Sequence, residues 1–383
     1  MKPITTFVRH NSIKVLLGAE NALKTVSGGK LVCKNIFNVE PKYVGTDVKI
    51  IKETPDSTFI AKCDTSGKIV DKPFKILVTT DLHLCGTMNL MRKSLEMLAR
   101  HVAAEKPDLI LFTGDVVLTD WQQVDCIQFG RFMEKMGVYW AYVFGNHEAR
   151  EEKEYHKYLM LKNLTSFHHC LSKFGDPELF GYGNFFINIL SAPNKIQQSI
   201  VMLDSGRNAS EKHNKENGAD IGLKCYDYLK KGQIEWYKNT ILSLEKDYGK
   251  FKSMMFMHIP LCEYKNVMEL DENENYVPTG KAEILYGGMY ESIGCSEFNS
   301  GMFSAIKELG STQAVFAGHD HINDFCAKYD GVYLVYAQCD GYDTYTMEKF
   351  GWDEKDWMQG VTMVDVSTDG EINLRQRFNR DYL

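Results

Sequence analysis

The sequence predicts an α/β protein in which two β-sheets pack face to face and helices cover the outside. From Phe74 onward, short apolar runs alternate with longer helix-like stretches, which is the order of strand–helix–strand crossover units. The runs contain few polar residues, as expected for strands that are buried on both faces. Many more such runs follow along the chain, so we expect a layered two-sheet sandwich flanked by helices.

The individual elements follow from these patterns in chain order. Short alternating runs at residues 48–51 and 59–62, followed by a turn signal at 64–67, predict a small β-rich N-terminal extension over residues 1–72. The main domain is predicted over residues 73–383. It begins with strands at 76–78, 109–112 and 138–144, a helix at 88–105 and a helix through Gln128 and Met136. Further candidate strands lie at 185–190, 200–203, 254–257, 314–317, 332–337 and 361–366, and exposed loops are expected at 205–220 and 271–280.

Composition and charge exclude several functional classes. The hydrophobic content of 44% and charged content of 25% are ordinary for a soluble globular chain of 383 residues. The formal net charge of −7 argues against nonspecific binding of nucleic acids or anionic membranes, which depends on Lys and Arg. We therefore expect no specific nucleic-acid partner and no membrane partner.

The cysteines and the N-terminal residues bear on the cellular compartment. Ten cysteines form no Cys-x-x-Cys pair, which favours reduced thiols. Glu20 and Lys24 interrupt the apolar stretch around residues 15–17, and no later run is long enough to span a membrane. The sequence therefore predicts a cytoplasmic protein with no signal peptide and no transmembrane segment.

Five short segments carry the residues from which we predict the chemistry. They are Asp81-Leu-His83, Gly114-Asp115, Gly145-Asn146-His147-Glu148, His258 and Gly318-His319-Asp320-His321. Most of them directly follow an apolar run, and functional side chains in α/β sheets gather beyond the carboxyl ends of strands. The candidate metal ligands are Asp81, His83, Asp115, Asn146, His258, His319 and His321. We predict that they bind two adjacent metal ions.

The types of ligand narrow the choice of metal. Oxygen and nitrogen donors without thiolate suit Mn, Fe, Zn, Co or Ni, and the set is too rich in nitrogen for a dedicated Mg or Ca site. Two adjacent ions need a bridging carboxylate, for which Asp115 is the natural candidate. Asp81 and His83 are two positions apart, so an extended backbone would point both side chains to one side. The same reasoning applies to His319 and His321.

Each segment alone also has a plainer explanation. An Asp after a strand is often a helix N-cap, and a Gly-Asn turn is ordinary loop chemistry. A lone His258 would more often be a buried histidine with satisfied hydrogen bonds. The joint presence of all five segments, each near the end of a separate strand, favours the metal hypothesis.

His147 is predicted to act on the substrate. It follows Asn146 directly, so its side chain should point away from the ion that Asn146 binds. A protonated imidazole there could stabilise the transition state and give a proton to the leaving alcohol, while a structural hydrogen bond is the alternative. Glu148 is expected to orient His147, cap the following helix or act structurally. His168 and His169 are adjacent, so their side chains diverge and a metal pair is not expected.

The pattern Asp-x-His, Gly-Asp, Gly-Asn-His-Glu, His and Gly-His-x-His resembles the calcineurin-like metallophosphoesterase superfamily over residues 74 to about 340. The resemblance implies an αββα fold and in-line attack on phosphorus by a hydroxide that bridges two divalent or mixed-valence metal ions. It implies one metal held by Asp81, His83, Asp115 and His321. It implies a second metal held by Asp115, Asn146, His258 and His319.

Departures from known patterns narrow the branch of the superfamily. Calcineurin-type protein phosphatases continue the Gly-Asp motif with Tyr-Val-Asp-Arg-Gly, whereas this chain reads Val-Val-Leu-Thr-Asp at 116–120. Purple acid phosphatases place a metal-binding tyrosine where this chain has Leu118. Residues 203–206, 233–236, 258–260, 299–301 and 318–325 resemble the tyrosine-lacking purple-acid-phosphatase-like proteins of plants and fungi. The aromatic segment 343–357 departs from that pattern and is expected to shape the pocket.

The resulting hypothesis is a phosphomonoesterase that acts on a phosphorylated small molecule or a phosphoprotein. A phosphodiesterase with the same dimetal centre is the first alternative, and a non-catalytic metal-binding regulatory protein is the second. Arg150 is the nearest arginine to the site in sequence, where it would bind phosphate oxygens or form a surface salt bridge. Pocket loops, rather than the ligands, set the choice of substrate.

Overall fold

The computed structural model describes residues 39–85, 88–119, 122–148, 154–347, 351–353 and 358–382. The N-terminal stretch that contains Glu20 and Lys24 lies outside these residues, as does Arg150. Within the described residues, no helix is both long and apolar enough to cross a membrane. The nine described cysteines form no disulfide bond with one another.

Sixteen strands and six helices make up the described part of the chain. The strands are β1 (Val48–Glu53), β2 (Ser57–Lys62), β3 (Phe74–Thr79), β4 (Leu109–Phe112), β5 (Tyr139–Tyr142), β6 (Phe185–Ala192), β7 (Lys195–Met202), β8 (Lys252–Phe256), β9 (Met268–Leu270), β10 (Tyr276–Pro278), β11 (Ala282–Tyr286), β12 (Thr312–Ala317), β13 (Cys326–Tyr329), β14 (Val332–Tyr336), β15 (Gly360–Val366) and β16 (Ile372–Phe378). The helices are α1 (Met88–Glu105), α2 (Gln122–Glu134), α3 (Glu154–Leu164), α4 (Glu211–Asn217), α5 (Lys231–Tyr248) and α6 (Met302–Leu309). Two 3₁₀ turns lie at Cys262–Asn266 and Asn379–Tyr382.

The strands form two large sheets and one small hairpin. A nine-stranded sheet has the order β1-β2-β6-β7-β8-β12-β14-β13-β11, and a five-stranded sheet has the order β16-β15-β3-β4-β5. Strands β3, β4 and β5 are parallel to one another, as are β7, β8, β12 and β14. Strands β9 and β10 form the hairpin. The parallel strands bring their carboxyl ends together within each sheet.

The two sheets pack against each other and the helices cover their outer faces. Ile76 and Val78 on β3 share one buried cluster with Met254 and Phe316 of the nine-stranded sheet. Leu77, the residue between the first two, packs in a different buried cluster with residues of α1 and α2. This switch follows from the two-residue period of side chains along a strand. The αββα architecture predicted from the sequence is confirmed.

The predicted elements agree with the structure in the first crossover units and differ elsewhere. The predicted helix at 88–105 matches α1, but the helix predicted through Met136 ends at Glu134. The loop predicted at 205–220 is wrong in part, because α4 lies within it, capped by Ser210 and by Gly218 in a left-handed conformation. The loop predicted at 271–280 likewise contains β10.

The N-terminal strands belong to the large sheet. β1 pairs with β2, and β2 pairs in parallel with β6, so residues 48–62 extend the nine-stranded sheet at one edge. The predicted domain boundary between residues 72 and 73 stays a prediction. The loops that follow β3, β4, β5, β8 and β12 carry the candidate functional residues.

Candidate metal centre

The residues predicted as ligands come from both sheets. Asp81 and His83 follow β3, Asp115 follows β4, and Asn146 follows β5, all in the five-stranded sheet. The remaining three belong to the nine-stranded sheet: His258 follows β8, and His319 and His321 follow β12. The loops after these strands, which carry four ligands from one sheet and three from the other, meet at one end of the sandwich. The candidate metal centre therefore lies where the two sheets face each other.

Asp81 lies between two imidazole rings. Its Oδ1 atom is 3.4 Å from Nε2 of His83 and also 3.4 Å from Nε2 of His321. The rings of these two histidines meet edge to face, with centroids 4.6 Å apart. One carboxylate oxygen and two imidazole nitrogens therefore converge at a spacing that a single ion can bind.

Asp115 connects this group to a second one. Its Oδ2 atom lies 3.6 Å from Nε2 of His83 and 3.3 Å from Nε2 of His258. Nε2 of His258 is in turn 2.8 Å from Oδ1 of Asn146, and the His258 and His319 rings have centroids 5.1 Å apart. A single oxygen of Asp115 thus faces both groups, which is the position required of a bridging carboxylate.

The hydrogen bonds of the two carboxylates leave one oxygen of each directed at the cluster. Oδ2 of Asp81 accepts hydrogen bonds from the Thr80 hydroxyl and the His319 backbone N–H, both at 2.8 Å. Oδ1 of Asp115 accepts a hydrogen bond of 2.8 Å from the His147 backbone N–H. The other oxygens, Asp81 Oδ1 and Asp115 Oδ2, are buried and have no hydrogen-bond partner among the described residues, and the same is true of His83 Nε2.

These three buried atoms without hydrogen-bond partners, two carboxylate oxygens and one imidazole nitrogen, are suited to bind metal cations. An ionised oxygen without a partner is costly to bury, and metal coordination is one of the arrangements that removes the cost. On the other side of its ring, His258 Nδ1 lies 2.8 Å from the Thr113 carbonyl oxygen, which holds the ring with Nε2 directed at Asp115. The side chains therefore present the mixed nitrogen and oxygen donors that suit a divalent transition metal.

The charges in the cluster shift the pKa of its members strongly. Burial would raise the pKa of Asp81 and Asp115, but the charge of His258 lowers the pKa of both well below the usual value. Burial lowers the pKa of His83 and His258, but the Asp115 and Asp81 carboxylates outweigh it and raise the pKa to about 9 and about 10. Protons and metal ions therefore compete for these nitrogen atoms.

Four of the predicted ligands adopt a left-handed backbone conformation that residues with a Cβ atom rarely adopt. The φ angles are 51° at Asp81, 43° at His83, 52° at Asp115 and 79° at His319. Such conformations cost on the order of 1–3 kcal/mol each and concentrate at functional sites. The prediction that an extended backbone brings Asp81 and His83 together was therefore wrong in its geometry. The left-handed turns after β3 do so instead.

Glu148 connects the loops that carry Asp115 and Asn146. Its buried carboxylate accepts hydrogen bonds from the backbone N–H groups of Asp115 (3.0 Å), Val116 (2.6 Å) and Gly145 (2.7 Å), and from the Tyr142 hydroxyl. Burial and the charge of Asp115 raise the pKa of Glu148 to about 7, whereas the four donors favour its ionised form. These contacts support the structural role among those expected for Glu148.

His147 lies at the solvent-facing rim of the cluster. Its Nε2 is 4.0 Å from Oδ2 of Asp115, and 41% of its side chain is exposed. Its ring centroid lies 5.5 Å from that of His83. The imidazole is therefore next to the predicted metal position and accessible to a substrate from solvent.

Two adjacent histidines and two cysteines belong to none of the candidate metal clusters among the described residues. The prediction that the His168 and His169 side chains diverge was wrong, because their rings meet edge to face with centroids 4.8 Å apart. The two histidines nevertheless belong to no candidate metal cluster in the described part of the chain, and Nδ1 of His169 lies 3.0 Å from Oε2 of Glu134. Cys85 Sγ donates to the Asp343 carbonyl oxygen at 3.1 Å, and Cys262 Sγ donates to that of Ser296 at 3.4 Å.

Of three further side chains that contact the ligands, sequence reasoning missed Tyr226 and Thr344 and anticipated Tyr345 only as part of the aromatic segment expected to shape the pocket. The half-exposed ring of Tyr226 meets the His319 ring edge to face, with centroids 4.4 Å apart. Thr344 and Tyr345, from the aromatic C-terminal segment, contact His321. None of the three belongs to a ligand-like motif, and only the high aromatic content of residues 343–357 pointed to this region.

Comparisons with known proteins identify the family and the fold of this chain. A family model described as calcineurin-like phosphoesterase matches residues 74–323. Probable inactive purple acid phosphatase 14 of Arabidopsis thaliana is 27% identical over 77% of this chain and 76% of its own length. Phosphatase DCR2 of Saccharomyces cerevisiae is 28% identical over 61% of this chain and 40% of its own length. A dimetal phosphatase from Danio rerio shares the fold, with a TM-score of 0.50 and 15% identity over 80% of this chain and 97% of that one.

Proposed function

Because this chain belongs to the calcineurin-like phosphoesterase family, we propose that it hydrolyses phosphomonoesters at the metal centre between its two sheets. The observation that carries the proposal is the position of Asp115 Oδ2, which is buried, has no hydrogen-bond partner among the described residues and faces both His83 and His258. The predicted resemblance to purple-acid-phosphatase-like proteins of plants and fungi is confirmed by the relatives named above.

The proposal assigns seven side chains to two ions. Asp81, His83, Asp115 and His321 would hold one, and Asp115, Asn146, His258 and His319 would hold the other. When bound, such a pair supplies Lewis acidity and lowers the pKa of a water molecule toward 7. The close spacing of Asp81, His83 and His321 supports the first ion, and that of Asp115 and His258 supports the second. Asn146 Oδ1 lies 2.8 Å from His258 Nε2, and the His319 ring lies 5.1 Å from the His258 ring, which is consistent with their places in the second group. Mn, Fe, Zn, Co and Ni are all compatible with these donors.

The protein's own groups position and protonate the reactants. Asp115 is held through Oδ1 by the His147 backbone N–H, which fixes the direction of Oδ2. His147 donates a proton to the oxygen of the leaving alcohol, a role its exposed position at the rim supports. The substrate is a phosphorylated small molecule or a phosphoprotein.

A non-catalytic metal-binding protein is the competing function, favoured by the word inactive in the name of the Arabidopsis relative. Purple acid phosphatases bind one ion through a tyrosinate, and here the corresponding position is Leu118, which is buried. The loss of that tyrosine removes a ligand specific to the purple enzymes. It leaves in place every residue assigned above, so we favour hydrolysis.

Single substitutions test the proposal. With p-nitrophenyl phosphate and added Mn²⁺, Asp115→Ala and His258→Ala are expected to abolish hydrolysis. Asp115 is the ligand assigned to both ions, and His258 is a ligand assigned to the second ion. His168→Ala should retain the wild-type rate, since His168 lies in none of the candidate metal clusters among the described residues. Full activity in Asp115→Ala would refute the proposal, and so would wild-type protein that binds two ions without turnover.

The same assay separates the two kinds of ester. Bis-p-nitrophenyl phosphate tests the phosphodiesterase alternative under identical metal conditions. A higher kcat/KM for the monoester supports the proposal. Preference for the diester would assign the centre to phosphodiester hydrolysis instead.

A further inference from the structure

Residues 343–345 reach back to the metal centre from beyond the region that matches the family model. That region ends at residue 323, and these three residues follow β14. The Asp343 carbonyl oxygen accepts a hydrogen bond from the thiol of Cys85, which lies two residues after His83 in the sequence. The next two side chains contact His321. This short segment therefore touches the surroundings of two of the ligands proposed for one ion.

Thr344 contacts the imidazole of His321 on the side away from Asp81. Its Oγ1 lies 2.8 Å from Nδ1 of His321, while Nε2 of the same ring lies 3.4 Å from Oδ1 of Asp81. When Nδ1–H donates a hydrogen bond to the Thr344 hydroxyl oxygen, Nε2 keeps its lone pair for a metal ion. Metal-binding histidines commonly have such a partner, which also fixes the orientation of the ring. For His258 that partner is a backbone carbonyl, but for His321 it is a side chain that substitution can remove.

Tyr345 covers the face of the same imidazole. The two rings are stacked, with centroids 4.0 Å apart and an interplanar angle of 15°. The His321 backbone N–H donates to the Tyr345 hydroxyl oxygen at 3.3 Å, and this hydroxyl donates to Oε2 of Glu291 at 2.7 Å. Oε1 of Glu291 accepts a hydrogen bond of 2.9 Å from the Ile322 backbone N–H. The ring and the backbone of His321 are therefore fixed together.

From this arrangement we infer that Thr344 and Tyr345 are positioning residues that hold the His321 imidazole for one of the two metal ions. The inference rests on the proposed function, because it takes His321 to be a ligand. It goes beyond that function by assigning the positioning of a metal ligand to a segment outside the matched family region. Thr344 and the stacked ring of Tyr345 contact His321, which is assigned to one ion, so we expect their removal to affect the binding of that ion.

The test measures metal binding rather than turnover. Wild-type protein, Thr344→Val, Thr344→Ser and Tyr345→Phe are titrated with Mn²⁺, and bound metal per chain is measured by inductively coupled plasma mass spectrometry. We expect Thr344→Val to weaken the binding of one ion by about 10–100-fold and to leave the other unchanged. Thr344→Ser keeps the hydroxyl and should restore binding. Tyr345→Phe, which keeps the stacked ring, should weaken the same ion by a smaller factor.

A matched substitution and the stoichiometry separate the possible outcomes. Thr165→Val makes the same change at the end of α3, where the hydroxyl donates to the Lys162 carbonyl oxygen, and should not alter metal binding. Two ions bound with wild-type affinity in Thr344→Val would overturn the inference and leave the proposed function intact. Equal weakening of both ions with a lower unfolding midpoint would indicate a purely structural role and also overturn it. Wild-type protein that fails to bind two ions would refute the proposed function itself.

Discussion

Gly145→Ala should disable the centre without removing any ligand. A Cβ atom at Gly145 would lie 2.1 Å from Oδ1 of Asp115, 2.6 Å from its Cγ and 2.6 Å from its backbone nitrogen, so both the side chain and the backbone of Asp115 would have to shift. Ordinary contact begins near 3.4 Å, so the Asp115 carboxylate would have to move by about 1.3 Å. That shift would also break its hydrogen bond from the His147 backbone N–H. The substitution therefore displaces the carboxylate that faces both groups of donors.

The expected loss of activity follows from the size of this shift. A misplacement of about 1 Å in a catalytic arrangement can reduce the rate by about 100-fold, or roughly 2.7 kcal/mol of transition-state stabilisation. Overpacking of a tight site costs about 1–3 kcal/mol of folding free energy, so the variant should still fold. Hydrolysis of p-nitrophenyl phosphate with Mn²⁺ gives kcat/KM, and urea denaturation gives the free energy of unfolding.

The control is Gly232→Ala, on the first turn of α5. A Cβ atom there would meet only the Leu179 side chain at 3.7 Å, which is ordinary contact, and alanine favours the helix. We expect unchanged kcat/KM and unchanged or slightly higher stability for this variant. Wild-type kcat/KM in Gly145→Ala, with the Gly232→Ala control behaving as expected, would refute the assignment of Asp115 as the shared ligand.

Two further predictions concern stability. Glu148→Gln should lower the free energy of unfolding by about 2–6 kcal/mol, because the amide would leave two of the four buried hydrogen-bond donors without an acceptor. Urea denaturation measures this loss, with Glu178→Gln at an exposed position as the control. Equal stability of the two variants would contradict the prediction. At Glu105, burial raises the pKa, but hydrogen bonds from Arg375 and Arg377 outweigh it and lower the pKa to about 2. The contacts of Glu105 with the two arginines therefore contribute stability above pH 4.5 that is lost as the pH falls toward 2. The difference in free energy of unfolding between wild type and Glu105→Gln should shrink from pH 5 to pH 2. A difference that stays constant over this range would contradict the link between the ionisation of Glu105 and stability.

The central strands were predictable because a strand that is buried on both faces is apolar at every position. All four residues of β4 are buried, as are all four of β5, and both strands appear as uninterrupted apolar runs. Helix α5 was missed although a signal was present. Its buried residues Ile234, Tyr237, Ile241 and Leu244 recur every three or four positions, but polar residues separate them. A continuous apolar run is easier to recognise in a sequence than apolar residues that recur at helical spacing among polar ones.

The site was predictable in residue type and in its location at strand ends, but not in its local geometry. Asp and His adopt the left-handed conformation more often than most residues with a Cβ atom, but no glycine stands at positions 81 and 83 to mark it, so the sequence did not predict it there. The contacts of His321 with Thr344 and Tyr345 join residues more than 20 positions apart. Such pairings depend on the path of the whole chain, and local patterns do not encode them.

The pairing of β15 with β3 has a consequence for how the protein reaches its native state. β3 lies between β4 and β15 in the five-stranded sheet, and its partner residues in β15 lie nearly 300 positions later in the chain. Contacts between such distant segments form slowly, because a long loop must close first. During synthesis on the ribosome, the turn that carries Asp81 therefore remains beside an open sheet edge until residues 360–366 arrive. We expect metal loading to be among the late events of folding, after β15 has paired with β3.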